Sequence, residues 1–235
     1  IVTYPKSGTT LMQMILYQLT TKGDINFNHI YDVSPWIRNA SYRGEEPKEF
    51  SSPRLIKSHE PYGNFHKGTK GKFLFVYREG KDVAVSQYYQ NKNYNNQNLE
   101  FDDFVKSFID SKVWFKHCKE WFKNKYNFPI LYIKYEDLIK NKQEEVERIA
   151  DFCGIELNDS VLKRVMHYSS FEFMKENEKL FGDQPHEDKR VFDQFIRQGK
   201  EGEGKHYFSE DQKEKFNKKF NRLVIKYKTR VFEKD

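Results

Sequence analysis

The run Lys72–Tyr77, KFLFVY, is of strand length and, after its lysine, consists of five aromatic or aliphatic residues, which fits a strand covered on both faces. Ile1–Tyr4, Arg54–Lys57 and Ile130–Ile133 are further strand candidates. Segments with helical spacing lie between them. Leu11, Met14, Ile15 and Leu19 share one face of a helix from Thr9 to about Thr21, and a second helix runs from Val83 to about Gln90. Phe101, Phe104, Val105, Phe108 and Ile109 line one face of a third, and Val113–Tyr126 is amphipathic and ended by Pro129. Val146, Ile149, Ala150 and Cys153 mark a helix with Gly154 as its C-cap, and Val161–Met166 continues the helical half. A last helix starts near Ser209 and carries Phe216, Phe220, Leu223 and Tyr227 on one face. Strands alternating with helices predict an α/β fold of three layers, a central, mostly parallel sheet flanked by helices. Residues 1–235 form a single domain, long enough to bury a core without staples. Ile1 stands inside a strand, so an N-terminal part of the natural chain is expected to precede it.

The formal net charge is +6, spread along the chain with no basic tail. Such a balance suits polyanions, and on composition a phosphorylated nucleotide and a nucleic acid fit equally well. Cys118 and Cys153 belong to no CxxC pair and no metal-ligand spacing, so both are expected to be free thiols of a reducing compartment. No apolar run approaches the roughly 20 residues that span a bilayer. Asn177–His206 is polar and glycine-rich, and loops of that length are usually functional or disordered.

Chemistry begins at Tyr4-Pro5-Lys6-Ser7-Gly8-Thr9-Thr10, between the first strand and the first helix. Unpaired backbone N–H groups and the helix dipole favour an anion at that point. Gly8 permits close backbone approach, Ser7, Thr9 and Thr10 add hydroxyls, and Lys6 adds a cation. A ligand-free turn capped by Ser or Thr accounts for SGTT as well. A Walker A loop is excluded, because its Lys follows the second Gly and here Lys6 precedes the only one.

In Leu55-Ile56-Lys57-Ser58-His59 an extended backbone puts Lys57 and His59 on the same side. A lysine beside a histidine disfavours imidazolium and keeps a ring nitrogen free to take a proton. A surface histidine on a loop is the plain alternative. Arg78-Glu79-Gly80-Lys81-Asp82-Val83-Ala84-Val85-Ser86 follows KFLFVY. Arg78 at the strand end and Ser86 two turns into the helix can grip one phosphate from two sides. An Arg–Asp surface pair with Asp82 as a helix cap is the alternative. Tyr135, at the end of the Ile130–Ile133 strand, reads as either a core or a ligand-facing ring.

YPKSGTT, KSH and R-x-x-K-D-V-A-V-S, in this order and spacing, resemble the phosphate-binding and catalytic motifs of the cytosolic sulfotransferases, and the resemblance extends from Ile1 to about Tyr227. It implies a P-loop-like sulfotransferase fold. The implied reaction is in-line transfer of a sulfuryl group from 3′-phosphoadenosine 5′-phosphosulfate (PAPS), which leaves as adenosine 3′,5′-bisphosphate. The acceptor is a small molecule with a hydroxyl, or an amine, and no metal takes part. By the same resemblance Lys6 contacts the 5′ phosphosulfate, Ser7, Gly8, Thr9 and Thr10 hold it, and Leu11 stands where the family usually has Trp against adenine. His59 is the catalytic base and Lys57 its supporting cation. Arg78 and Ser86 bind the 3′ phosphate, and Ser86 restrains Lys6 until acceptor is present. Tyr135, Ser170 and Phe171 lie near the adenosine, and Arg197, Gln198 and Gly199 complete the 3′-phosphate grip. Gln198, Glu203 and Gly204 replace the family's Lys, Asp and Trp, so a cation is lost and the segment is expected to loosen.

The family's dimer motif falls on Lys205, Ser209, Glu210 and Glu214, with Glu210 replacing the apolar residue. A monomer or a dimer of another kind is therefore expected, with a cytoplasmic location and neither nucleic acid nor membrane as partner. Phe27–Trp36 and Tyr88–Gln97, which mix aromatics with Asn and Asp, are the expected walls of the acceptor pocket. Two rival readings are an ATP-dependent phosphotransferase and a nucleotide-binding module without chemistry.

Overall fold

A computed structural model describes residues 1–21, 25–36, 38, 53–94, 98–182 and 195–232. Parts of the Asn177–His206 loop and of the Tyr88–Gln97 wall, residues 183–194 and 95–97, lie outside the described residues. The sheet is parallel, in the order β1 (Val2–Thr3), β2 (Phe73–Tyr77), β3 (Ile130–Lys134). Val2 and Thr3 face Phe75 and Val76, and Phe73–Tyr77 run in register with Ile130–Lys134. Side chains on a strand alternate between faces, and both faces here are buried. Phe73, Phe75, Tyr77, Ile130 and Tyr132 enter one core, while Leu74, Val76, Leu131 and Ile133 enter the other. That alternation is why Phe73–Tyr77 has no charged position, while Lys72, just before the strand, is exposed.

The second core is aliphatic. It joins α1 (Thr9–Thr21) to α6 (Lys142–Cys153) and α7 (Asp159–Tyr168) through Met12, Ile15, Leu19, Val146, Ile149 and Val165. The first core is aromatic. It joins α2 (Gly80–Tyr94), α3 (Phe101–Ser111) and α4 (Val113–Lys123) to α10 (Glu210–Phe220) through Phe108, Trp114, Phe115, Trp121 and Phe216. A π-helical turn at Asn221–Ile225 leads into α11 (Lys226–Phe232). Short helices α5 (Tyr135–Lys140), α8 (Phe171–Glu176) and α9 (Gly204–Tyr207) sit at the strand ends and in the C-terminal segment.

Several boundaries differ from the sequence reading, and the helix expected from Val83 to about Gln90 runs over Gly80–Tyr94. Arg54–Lys57 forms no strand, because its pairing among the described residues is confined to two isolated bridges at the end of the segment, Lys57 with Trp36 and Ser58 with Val2. The Lys57 amide donates to the Pro35 carbonyl (2.9 Å), whereas the Ser58 amide donates to Ile1 (2.9 Å) and its carbonyl accepts from Thr3 (3.2 Å). Helix α4 stops at Lys123, well before Pro129. Asn124 takes the left-handed conformation (φ 44°), and its side chain bonds both backbone groups of Phe128 (2.9 Å each).

Candidate active site

The β1–α1 turn brings its functional groups to the end of the sheet. Lys6 lies in the left-handed region (φ 67°), which costs a non-glycine residue roughly 1–2 kcal/mol. The turn holds it there, and Arg78 Nη1 donates to the Lys6 carbonyl (3.3 Å). Gly8 also has a positive φ (94°), and a Cβ added to it would sit 2.5 Å from the Tyr135 ring, so close approach and backbone shape both require glycine. The Thr9 hydroxyl bonds that of Thr3 (2.6 Å). Lys6, Gly8, Thr9, Thr10 and Leu11 line a cavity of ≈ 380 Å³, with the Lys6 ammonium 5.1 Å from the Phe195 ring centre. Ser7 is buried and does not line it.

His59 and Lys57 open onto the same cavity. His59 Nδ1 lies 3.0 Å from the Thr3 carbonyl, which can only accept, so the ring proton sits on Nδ1 and Nε2 is the free acceptor. Burial, then the Lys57 cation, pulls the His59 pKa down to about 3. Lys57 is itself buried. Its ammonium donates to the Tyr31 hydroxyl (2.6 Å) and lies 4.5 Å from the Trp36 ring centre, and Trp36 meets His59 edge-to-face at 5.2 Å.

The anion-directed cations gather where β2 ends. Arg78, only 7% exposed, stacks over the Tyr135 ring (4.7 Å) and donates to the Lys200 carbonyl (2.8 Å). Its Nε is buried without a partner, and no carboxylate pairs with it among the described residues. An unneutralised buried guanidinium is the donor set an anion needs. Asp82, 1% exposed, accepts from the backbone N–H groups of Gly202 (2.6 Å) and Gly204 (2.7 Å) and so ties the C-terminal loop to α2. Gly204 was expected to loosen this loop. It is instead buried at the start of α9, and a Cβ there would collide with the Cβ of Lys81. Arg197, Gln198 and Gly199 line the cavity, and the Arg197 guanidinium lies over the Tyr89 ring (4.5 Å). It also forms a two-pronged pair with Glu203, Nη1 to Oε1 at 2.7 Å.

On the remaining side, Leu11, Tyr135, Ile139, Lys142, Ser169 and Phe171 share the wall. Burial lowers the Lys142 pKa, and its ammonium donates to the Ser169 carbonyl (2.6 Å). Ser170 does not line the cavity, because its hydroxyl caps α8 by accepting from the Phe173 N–H (3.1 Å). Sequence reasoning missed Trp36, Tyr89, Gln90, Asn93 and Lys142 as individual lining residues. One signal was available: Ser86, Tyr89, Gln90 and Asn93 recur at i, i+3, i+4 and i+7, a single helical face. Among the described residues no group of three or more His, Cys, Asp or Glu side chains is placed to hold a metal, and no helix is long and apolar enough to cross a membrane.

A parallel α/β sheet whose strand ends share one cation-lined cavity, with a neutral histidine in its wall, defines a class: proteins that hold an anionic ligand and can take a proton beside it. The comparisons narrow the class. The model of the sulfotransferase domain family matches residues 1–228. Sulfotransferase 1B1 of Canis lupus familiaris is 32% identical over 261 residues, covering 98% of this chain and 86% of the relative. The 3-beta-hydroxysteroid sulfotransferase of Cavia porcellus is 33% identical over 244 residues, covering 98% and 85%. Among solved structures, a mouse sulfotransferase complexed with PAP superposes with a TM-score of 0.70 at 24% identity, over 94% of this chain and 81% of that one. Retinol dehydratase in complex with androsterone and inactive cofactor PAP gives 0.73 at 22%, over 94% and 79%. This chain belongs to the sulfotransferase family.

Proposed function

We propose that this sulfotransferase carries out PAPS-dependent transfer to a small hydroxyl acceptor with Lys6, Lys57, His59, Arg78 and Ser86 as its working residues. One observation carries the assignment: a single cavity is lined by the Lys6 turn, by Arg78 and Ser86, and by a histidine whose tautomer is fixed by Thr3. The lone buried Nε of Arg78 supports a phosphate there. Bound PAPS supplies the sulfuryl group, and adenosine 3′,5′-bisphosphate is left when the sulfur–oxygen bond breaks. Arg78, Ser86 and the Arg197–Gly199 segment hold the 3′ phosphate, while Lys6, Gly8, Thr9 and Thr10 hold the other end, and Ser7 is buried beneath the turn. Tyr135, Leu11 and Phe171 flank the base, with Ser170 setting the start of α8.

His59 Nε2 takes the acceptor proton as the acceptor oxygen attacks sulfur. Lys57 and Lys6 neutralise the charge that builds on the transferring and leaving oxygens, the electrostatic contribution that is usually largest. The cations that depress His59 are offset when an anionic donor lies against them, which raises its basicity where the proton moves. The names of relatives place hydroxysteroids among the acceptors handled within the family. A cytoplasmic site of action fits the two unpaired thiols, Cys118 and Cys153.

The test uses His59→Ala with PAPS labelled on sulfur and a panel of simple phenols. Turnover is expected to drop at least about a thousandfold, the upper range for a general base. Calorimetric affinity for adenosine 3′,5′-bisphosphate should stay within about threefold of wild type, because the base is not its ligand. Substantial turnover by the variant removes His59 from the mechanism.

A further inference from the structure

Resting on the sulfotransferase reading, we propose that the acceptor is a compact aromatic alcohol with a second hydrogen-bonding group remote from the hydroxyl that reacts, and that Gln90 and Asn93 bind that group. The cavity-facing side of α2 presents Ser86, Tyr89, Gln90 and Asn93 in sequence. At ~1.5 Å of rise per residue, Gln90 lies about 6 Å and Asn93 about 10 Å beyond Ser86 along the helix. Tyr89 is already committed, since its hydroxyl bonds that of Tyr207 (2.7 Å) and its ring lies under Arg197. The amides of Gln90 and Asn93 have no hydrogen-bond partner among the described residues. Gln90 is half-buried and Asn93 is exposed.

The base is flanked by an aromatic wall. Trp36 meets His59 edge-to-face at 5.2 Å and lies beneath the Lys57 ammonium at 4.5 Å. An acceptor whose reacting hydroxyl is at His59 therefore meets a flat aromatic surface near that hydroxyl and two side-chain amides along α2. The cavity of ≈ 380 Å³ serves donor and acceptor together and is near the lower end of ligand pockets, about 300–1,000 Å³, so the acceptor is small. An all-carbon body laid along α2 would strip water from Gln90 and return no hydrogen bond. A site built to hydrogen-bond its substrate rejects analogues that lack the group far more strongly than an apolar pocket rejects a methylene.

The experiment compares kcat/KM with PAPS for 4-ethylphenol, 4-(2-hydroxyethyl)phenol, 4-(2-aminoethyl)phenol and a 3β-hydroxysteroid. Wild type is expected to favour one or both polar-tailed phenols over 4-ethylphenol by about tenfold or more, with the steroid poorest. Gln90→Leu and Asn93→Leu should each reduce that ratio, and the double variant should bring it near one. The affinity of each variant for adenosine 3′,5′-bisphosphate reports that the fold is intact. A wild type that prefers 4-ethylphenol or the steroid overturns the proposal, as does a preference that survives both leucines. Absence of sulfuryl transfer to every phenol overturns the parent reading as well, and is distinguishable because no ratio can then be measured.

Discussion

Removing the Asp82 carboxylate should detach the C-terminal loop from the nucleotide site. Asp82 is buried in the first turn of α2 and accepts two backbone N–H groups, from Gly202 at 2.6 Å and Gly204 at 2.7 Å. Hydrogen bonds to a charged group contribute about 1.5–3 kcal/mol each, so the clamp is worth roughly 3–6 kcal/mol if nothing relaxes. The Gly202 donor is only partly buried and can rehydrate. About 3 kcal/mol is therefore the reasonable expectation for the cost of holding residues 197–204 in place without it. If those residues grip the 3′ phosphate, that cost is charged against nucleotide binding. The dissociation constant for adenosine 3′,5′-bisphosphate should then rise about a hundredfold in Asp82→Ala. Asp82→Asn keeps one accepting oxygen and turns an NH₂ toward the other N–H, so an intermediate loss of about tenfold is expected. Isothermal titration calorimetry reads both variants, and far-UV circular dichroism checks the fold. A folded Asp82→Ala protein with nucleotide affinity within twofold of wild type would refute the reasoning, either because the loop needs no clamp or because it does not hold the ligand.

Two further outcomes follow from charge placement. Glu203 occupies the fork of Arg197 and competes with a phosphate for it, so Glu203→Gln should tighten adenosine 3′,5′-bisphosphate binding about three- to tenfold. Weaker binding in a competition titration would mean that the carboxylate aims Arg197 rather than competing for it. His59 and His117 are both held neutral by burial, with pKa values pulled down to about 3. The unfolded chain takes up these protons near pH 6.5 and the folded one does not until about pH 3, so stability is lost as pH falls through that window. The slope is about 1.4 kcal/mol per pH unit for each histidine, and urea unfolding at pH 7 and pH 5 measures it. Replacing His117 by Phe should roughly halve the slope, whatever it does to the stability at pH 7, and an unchanged slope would remove His117 as its source.

What could be read from the chain alone depended on the range of the interaction. Phe73–Tyr77 of KFLFVY showed its buried strand because the requirement is local: consecutive side chains enter opposite cores, so each of the five is aromatic or aliphatic. YPKSGTT was legible for the same reason, a turn whose glycine and hydroxyls lie within a few residues. Ser169 and Ser170 were not separable, since one faces the cavity and its neighbour caps a helix, a difference of one backbone step. Gln90 and Asn93 obeyed a visible periodicity, yet polar residues on a helix face read as solvated until a cavity is known to lie against them. The clamp was hidden in another way, because Asp82 and its partners lie about 120 residues apart. Gly204 shows the physical reason most clearly. As a lone substitution for a large aromatic it suggested looseness, but the structure brings it against the backbone of Lys81, where there is no room for a Cβ. A glycine required by close approach and a glycine that merely relaxes a loop are identical in sequence, and only the position of the second backbone tells them apart.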